Sequence, residues 1–279
     1  MTAPRPTWLA AGPARLGVLP TSPAQGPKHH LYFLDFKSYA YTTGRMDFPW
    51  TARPHAVLLF SVDGDPMRLD TGDGPAVVGS AIAVAPLTAR RLRTLAPGLL
   101  SINLPPTSPF YADFRGMGSP GAVPLEGAAF RPFTAFFQRL YAGAGRPWDT
   151  ELVLRDLIHL AVAQLPRTTA IDERLPRMLQ LVEAEPEVSL QELAGAFGVS
   201  YHRASHLFSH SLGLPFKQFK AWQKQVRVCK LLYGAQASLT TVAYDAGLTD
   251  SAHLSRYYQQ WFGQSPSYSR DRDSVRLFA

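Results

Sequence analysis

Residues 238–266 read SLTTVAYDAGLTDSAHLSRYYQQWFGQSP. A serine opens the stretch, and Leu239, Val242 and Ala243 follow at helical spacing. Gly247 interrupts the run, and Asp250 stands where a second helix needs a cap. Leu254, Tyr258 and Phe262 then recur at steps of four, the signature of one buried helix face. The positions left over are Ser251, Ala252, His253, Ser255, Arg256, Gln259 and Gln260, and Gly263 ends the run. The pattern predicts two short helices about a tight turn, the second showing a small, polar face outward.

The same grammar occurs once upstream, in SLQELAGAFGVSYHRASHLFSHSLGLP (189–215). Ser189 and Glu192 have capping-box spacing. Leu190, Leu193 and Ala194 face inward, Gly198 makes the turn, Ser200 caps the next helix, and Ala204, Leu207 and Phe208 are its inner face. Gly213 closes the unit. One such pattern is common by chance; two with their glycines in corresponding places are far more specific.

Between the units, Phe216, Phe219, Trp222, Val226, Cys229 and Tyr233 form one apolar stripe on a helix of about 18 residues, roughly 27 Å long. That length suits two reading helices set near the ~34 Å repeat of B-DNA. From Ser200 to Arg270 eight Lys and Arg face only two acids, Asp245 and Asp250. The acids of this half gather upstream in VEAEPEVSLQE (182–192). Double-stranded DNA, read in two successive major-groove segments, is the expected partner. The candidate contacts are Tyr201, His202, Arg203, Ser205, His206 and Ser209 in the first unit, and Ser251, Ala252, His253, Ser255, Arg256 and Gln259 in the second. Arg203 and Arg256 could grip guanine bidentately or only hold phosphate; the spacing leaves both open.

These residues resemble the AraC/XylS family of bacterial transcription regulators. The resemblance rests on Gly247, Asp250, Leu254, Arg256, Tyr258, Gly263, Ser265, Pro266 and Arg270, and covers about residues 172–270. Leu248 and Tyr258 replace the family's usual Phe, Ser269 its Tyr, Lys224-Gln225 its Arg-Leu, and Val228 its Ala. The resemblance implies promoter binding, activation by contact with RNA polymerase, and an effector-sensing or dimerising N-terminal domain.

The N-terminal half has a different texture. LYFLDF, AVLLFSV, PMRLDT, AVVGSAIAVAP and LLSINLP are short runs separated by turn signals, as in a barrel or sandwich. Two helical patterns follow, FRPFTAFFQRLYAG and WDTELVLRDLIHLAVAQL, with Asp149 or Thr150 as the cap of the second. The expected fold class is α+β: a cupin-like β-barrel with flanking helices, then an all-α domain with two helix-turn-helix units. The expected divisions are an irregular arm (1–28), a sensor or dimerisation domain (29–165), a linker (166–172) and a DNA-binding domain (173–279).

An enzyme is not expected. Metal-dependent cupins need several converging histidines, yet only His55 falls inside the strand region and no His-x-His occurs. No metal and no cofactor are expected. Tyr32, His55, Leu58 and Phe60 are candidate effector contacts, with Arg91 and Arg93, which share one strand face while Arg90 takes the other. If that pair faced a cavity, the effector would be an anion. A ligand-independent regulator, controlled by a partner protein and using the barrel only to dimerise, is the alternative. A homodimer is left open, with the 149–165 helix as its candidate interface.

The chain has 279 residues, 46% of them hydrophobic, a formal charge of +7 and one cysteine, Cys229. No disulfide framework can form within it, no signal-peptide run is present, and no apolar stretch has membrane-spanning length. A cytoplasmic protein without membrane association is expected.

Overall fold

Ala56–Ser61 is buried at every position, which marks a central strand covered on both faces. It is β3 of a seven-stranded sheet ordered β10-β1-β2-β8-β3-β6-β9. The other members are β1 (His29–Phe33), β2 (Tyr39–Thr43), β6 (Ala81–Val84), β8 (Leu99–Leu104), β9 (Ala122–Pro124) and β10 (Val275–Leu277). A second sheet has three strands ordered β5-β4-β7: β5 (Val77–Gly79), β4 (Met67–Thr71) and β7 (Arg90–Thr94). The structure is a computed structural model. It describes residues 29–35, 37–72, 74–95, 97–166, 172–234, 237–262, 265–271 and 273–277. The expected N-terminal arm, most of the linker and Gly263 lie outside the described residues.

The two sheets correct the expectation of a closed barrel. Strands β4, β5 and β7 pair with one another rather than extending the large sheet. Two layers result, with Val57, Leu59, Ile82 and Val84 of one meeting Met67, Leu69, Val77 and Leu92 of the other. The opposite face of the large sheet carries Tyr32, Ala40, Leu58, Phe60, Leu100 and Ile102. These pack with α1 (Thr134–Tyr141) and α2 (Pro147–Val162). Helix α2 starts at Pro147, whose missing N–H suits a first-turn position, so neither Asp149 nor Thr150 is its cap. Asp149 instead pairs with Arg139 at 2.9 Å. Leu157 is fully buried in this core and Leu160 packs against it, whereas Leu152 is exposed. The helix therefore spends its stripe within its own subunit.

After residue 172 come α3 (Arg174–Ala184), α4 (Leu190–Ala196), α5 (Tyr201–His206), α6 (Phe216–Gly234), α7 (Leu239–Asp245) and α8 (Ser251–Phe262). The core beneath the sheet runs on without a break through Leu175, Met178 and Leu193 to Phe208, Phe219 and Trp222. A second core joins Leu31, Phe33 and Tyr39 of β1 and β2 to Cys229, Leu254, Tyr258 and Phe262. The outer edge of β1 is paired by β10, three residues that run parallel to it.

Candidate nucleic-acid interface

Both helix-turn-helix units close in the same way. At Ser189 the hydroxyl accepts the Glu192 N–H at 3.2 Å, and Glu192 Oε2 accepts the Ser189 N–H at 2.8 Å. These bonds to the Ser189 backbone and hydroxyl hold the Glu192 carboxyl below its ordinary value. The turn that follows satisfies the last carbonyls of α4. Gly198 takes φ +61°, and Val199 N–H reaches back to Ala194 O at 3.0 Å. Ser200 Oγ then accepts the Arg203 N–H and opens α5. In the second unit Gly247 takes φ +68° and Leu248 N–H reaches Ala243 O at 2.8 Å. Asp250 accepts the His253 N–H at 2.7 Å and opens α8. A left-handed residue after each first helix lets six-to-one bonds close the turn, which a Cβ would strain.

The second helices differ. Helix α8 runs 12 residues on its buried Leu254, Tyr258 and Phe262. Helix α5 runs six and passes into a π-helical turn over Leu207–Leu212, closed by Gly213 at φ +78°. Tyr201, His202, Arg203, His206 and Ser209 are exposed and Ser205 is half-buried. In α8, Ala252 and Arg256 are exposed, while Ser251, His253, Ser255 and Gln259 are half-buried. Several of these side chains are already engaged locally. Ser255 Oγ donates to Ser251 O at 2.8 Å, and His253 Nδ1 meets the Thr249 hydroxyl at 3.1 Å. His206 and His210 stack at 4.1 Å.

Arg203 is held as well. Its guanidinium lies 3.2 Å from Asp172, which Arg174 grips at 2.7 Å. The Arg174 hydrogen bonds, and then Arg203, hold the Asp172 carboxyl far below the usual carboxylate range. Part of the basic stripe is likewise committed to backbone carbonyls. Lys224 donates to Gly247 O at 2.8 Å, Lys220 to Pro186 O and Val188 O, and Arg270 to Ala237 O. Lys217, Arg227 and Lys230 remain exposed. Two residues that the sequence reading did not single out matter here. Asp172 fixes Arg203, and Arg115 of the N-terminal half donates to His210 O at 2.8 Å. Neither lies in a pattern, so no periodicity could have found them.

The structure separates the candidate effector residues. Tyr32, Leu58 and Phe60 lie on the sheet face packed against the helices. His55 meets Tyr39 edge to face at 5.3 Å on the other side. Tyr32 also spends its hydroxyl on Leu140 O at 2.6 Å. Arg91 and Arg93 point outward, at 3.0 Å and 3.9 Å from Asp47. Hydrogen bonding to Asp47 raises the Arg91 guanidinium above its usual value, and the same contact lowers Asp47. The arginine that β7 turns inward, with Leu92 and Thr94, is Arg90. Among the described residues, no helix is long and apolar enough to cross a membrane.

Residues 193–272 match the family model described as a helix-turn-helix domain. Among solved structures, the chain is similar to ToxT from Vibrio cholerae O395 bound to (E)-4-(8-methylnaphthalen-1-yl)but-3-enoic acid. That match has 11% identity, covers 87% of this chain and 97% of that one, and has a TM-score of 0.50, a likeness of fold. A Chromobacterium violaceum transcriptional regulator, of the AraC-type DNA-binding domain-containing proteins, is 24% identical over 36% of this chain and 92% of its own, with a TM-score of 0.33. Among curated proteins none matches this chain.

Proposed function

We propose that this chain, whose residues 193–272 match a helix-turn-helix domain, is a DNA-binding regulator of the AraC/XylS type and reads one promoter duplex with α5 and α8 together. The observation that carries the proposal is the pair of capped units joined by α6, whose 19 residues span about 28 Å. Each unit shows short hydrogen-bonding side chains outward from an aromatic-seated helix. Arg203 and Arg256 are the strongest candidates for base or phosphate contact, with Tyr201, His202 and Ser251 in the first helical turns beside them. His206, Ser209 and Gln259 lie later along the groove, with Ser205, Ala252, His253 and Ser255 between. The two-part division, 29–165 for sensing and 173–279 for DNA, belongs to the same proposal.

Control by a small molecule in the N-terminal half, and activation through RNA polymerase, complete the reading. Its support is the two-layered sheet, which shares one core with each helix-turn-helix unit. A change in sheet packing would therefore reach both readers. The test is DNA affinity of Arg203→Ala and Arg256→Ala against promoter fragments. Each loss is expected to weaken binding by about 1–3 kcal/mol if it removes a base contact. Binding untouched by both changes would refute α5 and α8 as the readers.

A further inference from the structure

Strand β7 buries Arg90, which no acid among the described residues pairs with. We propose that Arg53, Arg90, His55 and Tyr39 form a buried binding site for the carboxylate of a small organic acid, in the seam between the three-stranded sheet and the second helix-turn-helix unit. The inference rests on the sensing role proposed above for the N-terminal half.

Arg90 is 6% exposed, His55 1% and Tyr39 2%, and Arg53 is half-buried beside them. Arg90 makes one long bond, from Nη1 to Thr88 O at 3.3 Å. Arg53 Nε, His55 Nδ1 and the Tyr39 hydroxyl have no hydrogen-bond partner among the described residues. Arg53 lies near enough to Tyr39 to favour its ionised form, yet does not reach hydrogen-bond geometry with the hydroxyl.

Among the described residues no carboxylate acts on Arg90, His55 or Tyr39. Burial, then repulsion from Arg53, pushes Arg90 down to about 9. Burial, then Arg53 and Arg90, pushes His55 down to about 3, opposed only by the Lys37 backbone. Burial keeps Tyr39 a phenol, and the neighbouring Cys229 a thiol. Asp47 and Asp70 pair with Arg91, Arg93 and Arg68 instead. Buried guanidiniums without a counter-charge are strongly unfavourable unless an anion completes them. Their planar forks match a carboxylate, with the phenol O–H and an imidazole N–H as further donors.

The position gives the site an outlet. The Tyr39 ring packs 5.5 Å from Phe262 on the buried face of α8. A ligand that re-aims Tyr39 therefore acts on the contact that seats the second reader.

The test uses the full-length protein and follows thermal unfolding in acetate, butyrate and benzoate. Each acid is set against its neutral amide at matched ionic strength. At least one acid is expected to give a saturable rise of about 5–10 °C at 100 times its Kd, and the amides none. Arg90→Met is expected to abolish that shift while raising the Tm of the unliganded protein, since it removes a buried charge. Arg53→Gln, at a half-buried position, keeps the fold measurable and is expected to weaken binding about tenfold. The proposal falls if no acid gives a saturable shift, if amides act equally, or if both variants keep the response. Inorganic phosphate acting where carboxylates do not would overturn the ligand class. DNA affinity is read separately on the same samples. An acid that binds and leaves DNA affinity unchanged supports the site and removes the sensing role.

Discussion

The two helix-turn-helix units share their caps and turns but are attached to the rest of the molecule by different forces. The first sits on the apolar core beneath the sheet, through Leu193, Leu207 and Phe208, and adds charge and single hydrogen bonds: Arg203 to Asp172 at 3.2 Å and Arg115 to His210 O at 2.8 Å. The second is tied by a strand and by rings. Strand β10 pairs with β1, Tyr268 donates to His29 O at 3.0 Å, and Phe262 rests on Tyr39. Exposed ion pairs are weak and screened by salt, whereas strand pairing and ring burial are screened little. In the first unit the polar tether alone, Arg203 to Asp172, is open to competition by an anion, while its buried core is not. The second is freed only when the β1 edge rearranges.

Equal cores under unequal tethers can be checked first. Phe208 and Tyr258 are both fully buried beneath their reading helices. Phe208→Ala and Tyr258→Ala are each expected to lose about 3–5 kcal/mol in denaturant unfolding. A loss confined to one would break the parallel between the units. Next in size, Val275→Asp places a charge in a buried β10 position and is expected to cost about 2 kcal/mol. Hydrogen exchange should then quicken at Leu31, whose N–H donates to Ser274 O at 2.8 Å, and in α8, but not in α5. Equal quickening in α5 would show that the tethers are not separate.

The caps give a finer contrast. Ser189 has a reciprocal Glu192, whereas Ser238 accepts the Thr241 N–H at 3.1 Å and meets the Thr241 hydroxyl at 2.9 Å, with no acid among the described residues reaching back to its own N–H. Ser189→Ala is expected to cost about 1 kcal/mol and Ser238→Ala less, read from unfolding midpoints. The smallest effect is expected from Asp172→Asn, which releases Arg203. DNA affinity should rise about two- to five-fold at low salt and converge with the unmodified protein at high salt. An unchanged affinity at low salt would mean that Asp172 does not restrain Arg203.

The features legible in the sequence are local ones. Ser189, Ser200, Ser238 and Asp250 were readable as caps, and Gly198 and Gly247 as turns, because each acts on residues within a few places of itself. Long-range pairing was not readable in this way. Val275–Leu277 is three residues long, shows no alternation, and meets β1 from some 240 residues away. Alternation placed Arg90 opposite Arg91 and Arg93, but period alone cannot say which side is inside. Pairing of β4 with β7 and the position of Asp47 decide that, and they turn Arg90 inward. The closed barrel failed for the same reason: strand spacing predicts short strands, and says nothing of which edges meet.

The central claim is that α5 and α8 read one duplex together. Hydroxyl-radical footprinting of the full chain on a bound promoter fragment tests it most directly. Two protected patches about one helical turn apart on one face of the duplex are expected, with Arg203→Ala weakening one and Arg256→Ala the other. A single patch, or both patches fading alike in each variant, would contradict it.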